Sequence, residues 1–172
     1  MKCNKEGGTH MNLTEYRSVQ HTRKTLLDFC RDLPQDDFTN ENAFGWGSIR
    51  HTLVHTADCY HAWLGSFLLL KTKEPLTPKN EIKDVTLDDI VNRFGQADDY
   101  VKEVLDHFAG QMDETISRKI PWRDGVAPIS MTPEKLLFHV VTHEYHHKGQ
   151  VMAMVRQLGY EPPNTDVLGT PD

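Results

Sequence analysis

Apolar residues recur at steps of three and four in four long stretches of the chain, which is the spacing of amphipathic helices. The clearest stretch is 133–158, where Thr132 suits the N-cap, Pro133 the first helical position and Gly159 the end. One face of this predicted helix carries Leu136, Val140, His143, His147, Val151, Met154 and Leu158. Two histidines therefore lie in the middle of an otherwise apolar stripe that we expect to face the core.

Three more helices are predicted upstream, over 13–33, from 48 to about 70, and over 86–109. Each begins at a residue that caps helices well: Asn12, Ser48 and Thr86. Two of these caps have an acidic residue three positions later, as a capping box requires: Glu15 and Asp89. The capping residues predict where each of these three helices begins.

The segments between the helices are polar and contain proline, glycine, asparagine or aspartate. We predict connections over 35–47 and 71–85. Two short β-strands are predicted at 116–122 and 127–131, around the turn Arg123-Asp124-Gly125. Four helices that each bury one face predict an all-α four-helix bundle, with a short β-hairpin between the third and fourth helices.

Length and charge limit the classes of protein. A chain of 172 residues favours one domain, which we assign to 12–172 after a polar and disordered tail at 1–11. The net charge of -6, with scattered basic residues, argues against nucleic-acid binding. No apolar stretch has the length of a membrane span, and the first residues do not resemble a signal peptide. We therefore expect a cytoplasmic protein.

The cysteines also favour a location in the cytoplasm. Cys3, Cys30 and Cys59 are an odd number with no Cys-x-x-Cys pair, which argues against a disulfide scaffold or a cysteine zinc site. Cys59 falls inside a predicted helix and is interpreted as a core residue rather than a nucleophile.

The histidines carry the candidate chemistry. His143 and His147 lie four residues apart, so their imidazoles occupy one helix face one turn apart and can share an ion. A buried pair of structural histidines is the alternative at this point, since a single histidine in a core is usually only hydrogen-bonded. A second histidine-rich helix upstream favours the metal site.

A reactive divalent site takes three protein ligands and keeps one position open. We expect the third ligand to be His55, which is central on the second helix and surrounded by small residues. His51 is the alternative one turn earlier, and His61 is a weaker candidate. His139 and His146 lie on a more polar stripe and are interpreted as flanking, second-shell or surface residues.

An all-imidazole site leaves the ion with its full charge, so a bound water or thiol is acidified. The donor set does not select the metal: zinc, nickel, iron, cobalt and manganese all accept imidazole ligands.

The run His143-Glu144-x-x-His147 also matches zinc proteases, in which the glutamate is the general base. Those enzymes need a further ligand downstream, and only 25 residues follow His147. The nearest carboxylates, Glu161 and Asp166, lie in a proline-containing tail. We therefore disfavour a protease and interpret Glu144 as a second-shell or solvent-facing residue.

A family resemblance rests on two separated motifs. They are Ser48-Ile49-Arg50 with Leu53-Val54-His55 and Trp63-Leu64, and later His143-Glu144-x-x-His147-x-Gly149-Gln150. Together they resemble the DinB/YfiT-like metalloenzymes, and the resemblance covers roughly 13–166. It implies an up-down-down-up bundle, a divalent metal that is commonly nickel or zinc, ligands His55, His143 and His147, and a homodimer.

The same resemblance implies several functions. Some relatives are S-transferases that use low-molecular-weight thiols such as bacillithiol, and others are mycothiol-dependent isomerases. We expect a metal-dependent thiol S-transferase whose partners are a small thiol and a small electrophile, such as an epoxide or an antibiotic. The alternatives are a metal-dependent hydrolase, a non-catalytic metal-binding module of a stress response, and a plain helical bundle with core histidines.

Overall fold

The structure is a computed structural model that describes residues 10–42 and 44–171. Its α-helices are α1 (Leu13–Arg31), α2 (Gln35–Thr39), α3 (Ile49–Tyr60), α4 (Leu87–His107) and α5 (Pro133–Gln157). A π-helix, His61–Leu68, continues α3 directly, and 3-10 turns occupy Ile82–Asp84 and Val167–Gly169. Strands β1 (Ile116–Arg118) and β2 (Ile129–Met131) form the antiparallel hairpin, with Ile116 opposite Met131.

The four long helices form the predicted bundle. Helix α3 packs against α4 and α5, and α1 packs against the same two helices from the other side. The core between them is lined mainly by aliphatic and aromatic side chains, including Leu26, Val54, Phe94, Val101 and Val140. The predicted all-α bundle with a hairpin between the third and fourth long helices is confirmed.

Helix starts follow the predicted caps. The Asn12 side chain accepts from the backbone N–H groups of Thr14 and Glu15, and Glu15 accepts in return from the Asn12 N–H. Thr86 and Asp89 make the same reciprocal pair at the start of α4. Since each box satisfies two backbone donors that a helix start leaves open, the start is fixed by the sequence.

Several predicted element boundaries were wrong. The predicted loop 35–47 contains the short helix α2, which is held by the buried side chain of Phe38 and is too short to show a helical period. The first and third predicted helices end two residues early, at Arg31 and His107. The second changes to π geometry after Tyr60, which a hydrophobic pattern cannot distinguish from α geometry.

The hairpin is attached to the end of the π-helix. Arg118 of β1 donates from Nη1 to the carbonyl oxygens of Phe67 and Leu68, at 2.7 and 3.3 Å. These carbonyls lie at the helix C-terminus, where backbone acceptors need outside partners. Leu70 then adopts a left-handed conformation, with φ of 56°, and ends the helical segment.

The predicted disordered tail falls mostly on residues 1–9, which lie outside the described residues. Met11, at the end of that stretch, packs against the core, and His10 Nδ1 lies 2.9 Å from Glu134 Oε1. Among the residues that the structure describes, no helix combines the length and the apolar character that crossing a membrane requires.

Candidate metal centre

Three histidine side chains from two helices converge in the bundle. The Nε2 atom of His143 lies 3.1 Å from His55 Nε2 and 3.2 Å from His147 Nε2. The three ligand atoms all lie within 4.8 Å of one another. Helix α3 supplies His55 and α5 supplies the pair, so the structure brings together the three histidines that the sequence analysis selected.

Helix geometry explains the convergence. His143 and His147 are one turn apart on α5, between the buried residues Val140 and Val151. His55 lies on the face of α3 that also carries Thr52 and Cys59, and α3 packs on α5. His147 is 6% exposed, and the other two histidines are half-buried. The site therefore lies at the edge of the core with one side towards solvent.

The side chain of Gln150 orients His147. Its amide oxygen lies 2.8 Å from His147 Nδ1, and its amide nitrogen lies 3.0 Å from His146 Nε2. A carboxamide oxygen only accepts, so the proton of neutral His147 is on Nδ1 and Nε2 keeps its lone pair for the site. The ring of His147 is thus held in the tautomer that a metal ligand needs.

The surroundings of the triad favour neutral imidazoles. Burial, with the neighbouring His147, lowers the pKa of His55 to about 4. Burial and the adjacent histidines lower the pKa of His143 to about 3. The pKa of His147 is also lowered, chiefly by burial. Neutral histidines have lone pairs free for an ion at neutral pH, because protons compete only in acid.

A loop covers one side of the triad. The indole of Trp46 stacks on the imidazole of His55, with 3.9 Å between ring centroids and 25° between planes. Gly45 carries this turn with φ of +64°, and a Cβ there would lie 3.1 Å from Gln150 Oε1. Trp46 remains 48% exposed, so it borders the site on the solvent side.

The other histidines near the site contact other groups and do not join the three ligand atoms. The alternative ligand His51 has Nδ1 3.1 Å from Ser48 Oγ, and His61 has Nε2 3.0 Å from the Arg93 carbonyl oxygen. Neither belongs to the triad. His139 flanks the triad, with its ring centroid 5.5 Å from that of His143 and its Nε2 3.7 Å from Cys59 Sγ.

Of the two interpretations of Glu144 from sequence, the structure excludes the solvent-facing one. It is 2% exposed and accepts hydrogen bonds from Arg23 Nε at 3.1 Å and from Arg23 Nη2 at 2.9 Å. Burial alone would raise its pKa, but the charges of Arg23 and Lys148 and hydrogen bonds from Arg23 and Tyr60 hold that pKa below its ordinary value. A carboxylate engaged in this way is unsuited to act as the general base of a protease.

The burial of Glu144 has a physical cause. Helix α5 buries a second face, formed by Leu137, Val141, Glu144, Lys148 and Val155. Two of these residues are charged, and charged side chains are usually exposed, which made a solvent-facing Glu144 one of the expected alternatives. They can be buried because oppositely charged and polar partners from α1 and α3 satisfy them.

Sequence reasoning also gave no role to Gln150 or Trp46. The spacing of Gln150, three residues after His147, is a signal that could have identified it, since such residues are neighbours on a helix. Trp46 between two glycines in a polar loop is a second such signal.

The donor set fits a divalent ion. Zinc binds imidazole nitrogen at about 2.0–2.1 Å, and a tetrahedral arrangement separates such ligands by about 3.4 Å. The two shorter Nε2 separations in the triad are close to that value. His143 Nδ1 is buried and has no hydrogen-bond partner among the described residues. Within this part of the chain, the ring nitrogen that faces away from the ion site is therefore hydrogen-bonded in His147 but not in His143.

Comparison with known proteins identifies the family of the chain. The DinB family model matches residues 5–172. The uncharacterized protein YizA of Bacillus subtilis (strain 168) is 26% identical over 155 residues, which cover 86% of this chain and 87% of YizA. Protein DinB of the same organism is 26% identical over 149 residues, 82% of each chain. Since the family model spans nearly the whole sequence, the chain belongs to the DinB family.

Proposed function

We propose that His55, His143 and His147 bind one divalent metal ion, with nickel or zinc as the first candidates. One coordination position of the ion stays open for a small molecule. The observation that carries this proposal is the convergence of three Nε2 atoms from two helices. Iron, cobalt and manganese suit the same donors.

We further propose that the protein is a metal-dependent thiol S-transferase acting on small electrophiles. A divalent ion in the triad would supply Lewis acidity, which lowers the pKa of a thiol that reaches it. In the transfer to an epoxide, the thiol sulfur bonds to a ring carbon, the carbon–oxygen bond breaks, and the thiol proton ends on the released oxygen.

The residues around the triad have separate tasks in this proposal. Gln150 keeps the proton of His147 on Nδ1, and Trp46 shields His55 from bulk water on one side. We place the protein in the cytoplasm, where small thiols are reduced and where the free thiols of Cys30 and Cys59 are compatible with the redox state. A homodimer is the assembly that we propose for it.

Product formation tests the transferase. Protein loaded with zinc or nickel is incubated with an epoxide and each of several low-molecular-weight thiols, and the thioether is measured by mass spectrometry. We expect faster transfer than in the protein-free reaction, loss of the acceleration in His143→Ala, and no loss in the control His51→Ala. If metal-loaded protein accelerates the reaction with none of the thiols, the transferase proposal fails, and a metal-dependent hydrolase or a non-catalytic metal-binding module takes its place.

A further inference from the structure

A buried polar network surrounds Glu144 on the second buried face of α5. Besides Arg23, the Glu144 carboxylate accepts a hydrogen bond from Tyr60 Oη at 2.7 Å, and Lys148 Nζ lies 3.5 Å from it. Arg23 Nη1 reaches Asp98 at 2.6 Å, on α4. The side chains of Arg23, Glu144, Tyr60 and Lys148 are almost completely buried. The network thus connects all four long helices through their interior.

The network lies close in sequence to every member of the triad. Glu144 follows His143, Lys148 follows His147, and Tyr60 lies little more than one turn beyond His55 on α3. The hydrogen bond from Tyr60 to Glu144 therefore joins the two helices that supply the triad.

We propose that Tyr60 is a positioning residue of the metal centre, which acts through Glu144 to hold α5 in the rotation and height at which His143 and His147 meet His55. The proposal rests on the metal-binding function proposed above.

Two physical arguments support this role. Successive residues of a helix are held about 100° apart, so a rotation or shift of α5 that displaces the His143 ring relative to His55 also displaces Glu144 relative to Tyr60. Such a movement would leave a buried carboxylate and a buried hydroxyl without their mutual hydrogen bond, which is unfavourable in a protein interior. The network therefore opposes the motions that would separate the three Nε2 atoms, and the site is formed before an ion arrives.

Tyr60→Phe tests the inference, because it removes one hydroxyl and keeps the ring. Tyr16→Phe is a matched control: Tyr16 is also buried, and its hydroxyl bonds to Arg23 and Asp98 at 3.0 and 2.7 Å, but it joins α1 to α4 and not α3 to α5. Zinc dissociation constants are measured by competition with a chromophoric chelator, and apo-protein melting temperatures by circular dichroism.

We expect both variants to melt earlier than wild type. We expect Tyr60→Phe to bind zinc about tenfold more weakly, the lower end for loss of outer support at metal sites, and Tyr16→Phe to bind like wild type. If Tyr60→Phe is not folded at the assay temperature, all titrations are run with trimethylamine N-oxide, which favours the folded state.

The outcomes separate the two proposals. An unchanged dissociation constant in folded Tyr60→Phe, or equal weakening in Tyr60→Phe and Tyr16→Phe, would overturn the positioning role and leave the metal site standing. Absence of zinc, nickel, iron, cobalt and manganese binding by wild type would overturn both.

Discussion

At the scale of single residues, the protonation of each imidazole decides whether the triad can hold an ion. Gln150 accepts from His147 Nδ1, so the nitrogen that faces His143 keeps its lone pair. The ring is fixed at the same time, because the Gln150 amide is itself anchored on His146. One amide thus sets both the tautomer and the direction of a ligand.

Replacing this amide should weaken metal binding. We expect Gln150→Leu to raise the zinc dissociation constant about 10- to 100-fold, the usual effect of losing an outer hydrogen bond to a histidine ligand. Gln157→Leu is the control, since Gln157 is exposed two turns later on α5. Competition titration gives both constants, and equal affinity of the two variants would contradict the role of Gln150.

The thiol of Cys59 should be unreactive in the folded protein. Cys59 is 6% exposed, and burial, with the neighbouring charge of Asp58, raises its pKa to about 12. At pH 8 it therefore remains a thiol rather than the nucleophilic thiolate. In a Cys3→Ser background, iodoacetamide should label Cys59 far more slowly before than after unfolding in guanidinium, as followed by mass spectrometry. Equal labelling rates would mean that the thiol is accessible and ionised.

At the scale of elements, the π-helix His61–Leu68 packs unusually closely on α4. A Cβ added to Gly65 would lie 2.6 Å from Cε2 of Tyr100, a distance that real Cβ atoms essentially never show. The ring of Tyr100 also packs edge-on against His61, with centroids 5.3 Å apart. The absence of a side chain at Gly65 is therefore what lets this ring contact the helix.

Gly65→Ala should destabilise the bundle by about 1–3 kcal/mol, the range for overpacking a well-packed core. Gly95→Ala is the matched control, because a Cβ there meets no atom within 4 Å and alanine favours a helix. Chemical denaturation of both variants measures the free energies of unfolding. A Gly65→Ala protein as stable as Gly95→Ala would show that Tyr100 moves aside without cost.

The capping box of α4 should make stability depend on pH in acid. Hydrogen bonds from the Thr86 side chain and backbone lower the pKa of the Asp89 carboxyl below its ordinary value. Since the folded pKa lies below the unfolded one, the contribution is complete above the unfolded value and is lost as pH falls through the folded value. Asp89→Asn should thus be less stable than wild type at pH 7, and the difference should shrink towards pH 3.

Urea unfolding of wild type and Asp89→Asn across this pH range gives the comparison. A difference in the free energy of unfolding that stays constant from pH 7 to pH 3 would contradict an ionised Asp89 as the source of the stability.

At the scale of the whole molecule, the features predicted from sequence are those with a regular period or a local signal. The long helices follow from their apolar stripes, and their starts from Asn12, Ser48, Thr86 and Thr132. The triad could be selected because two histidines interrupt one stripe and His55 is central on the facing helix.

The remaining features depend on contacts between distant segments. Glu144 and Lys148 look like surface residues until α1 places Arg23 and Thr22 beside them. The position of Trp46 depends on how a loop folds back onto α3, and the π-helix after Tyr60 packs against α4. None of these contacts leaves a period in the sequence.

Metal content tests the central claim most directly. Protein purified without a nickel column is analysed by inductively coupled plasma mass spectrometry, as wild type and as His55→Ala, His143→Ala, His147→Ala and the control His51→Ala. We predict about one equivalent of a divalent metal in wild type and in the control, as expected of a single three-histidine site, and its loss in each triad variant. Wild-type protein that retains no metal after incubation with zinc, nickel, iron and manganese would contradict the account.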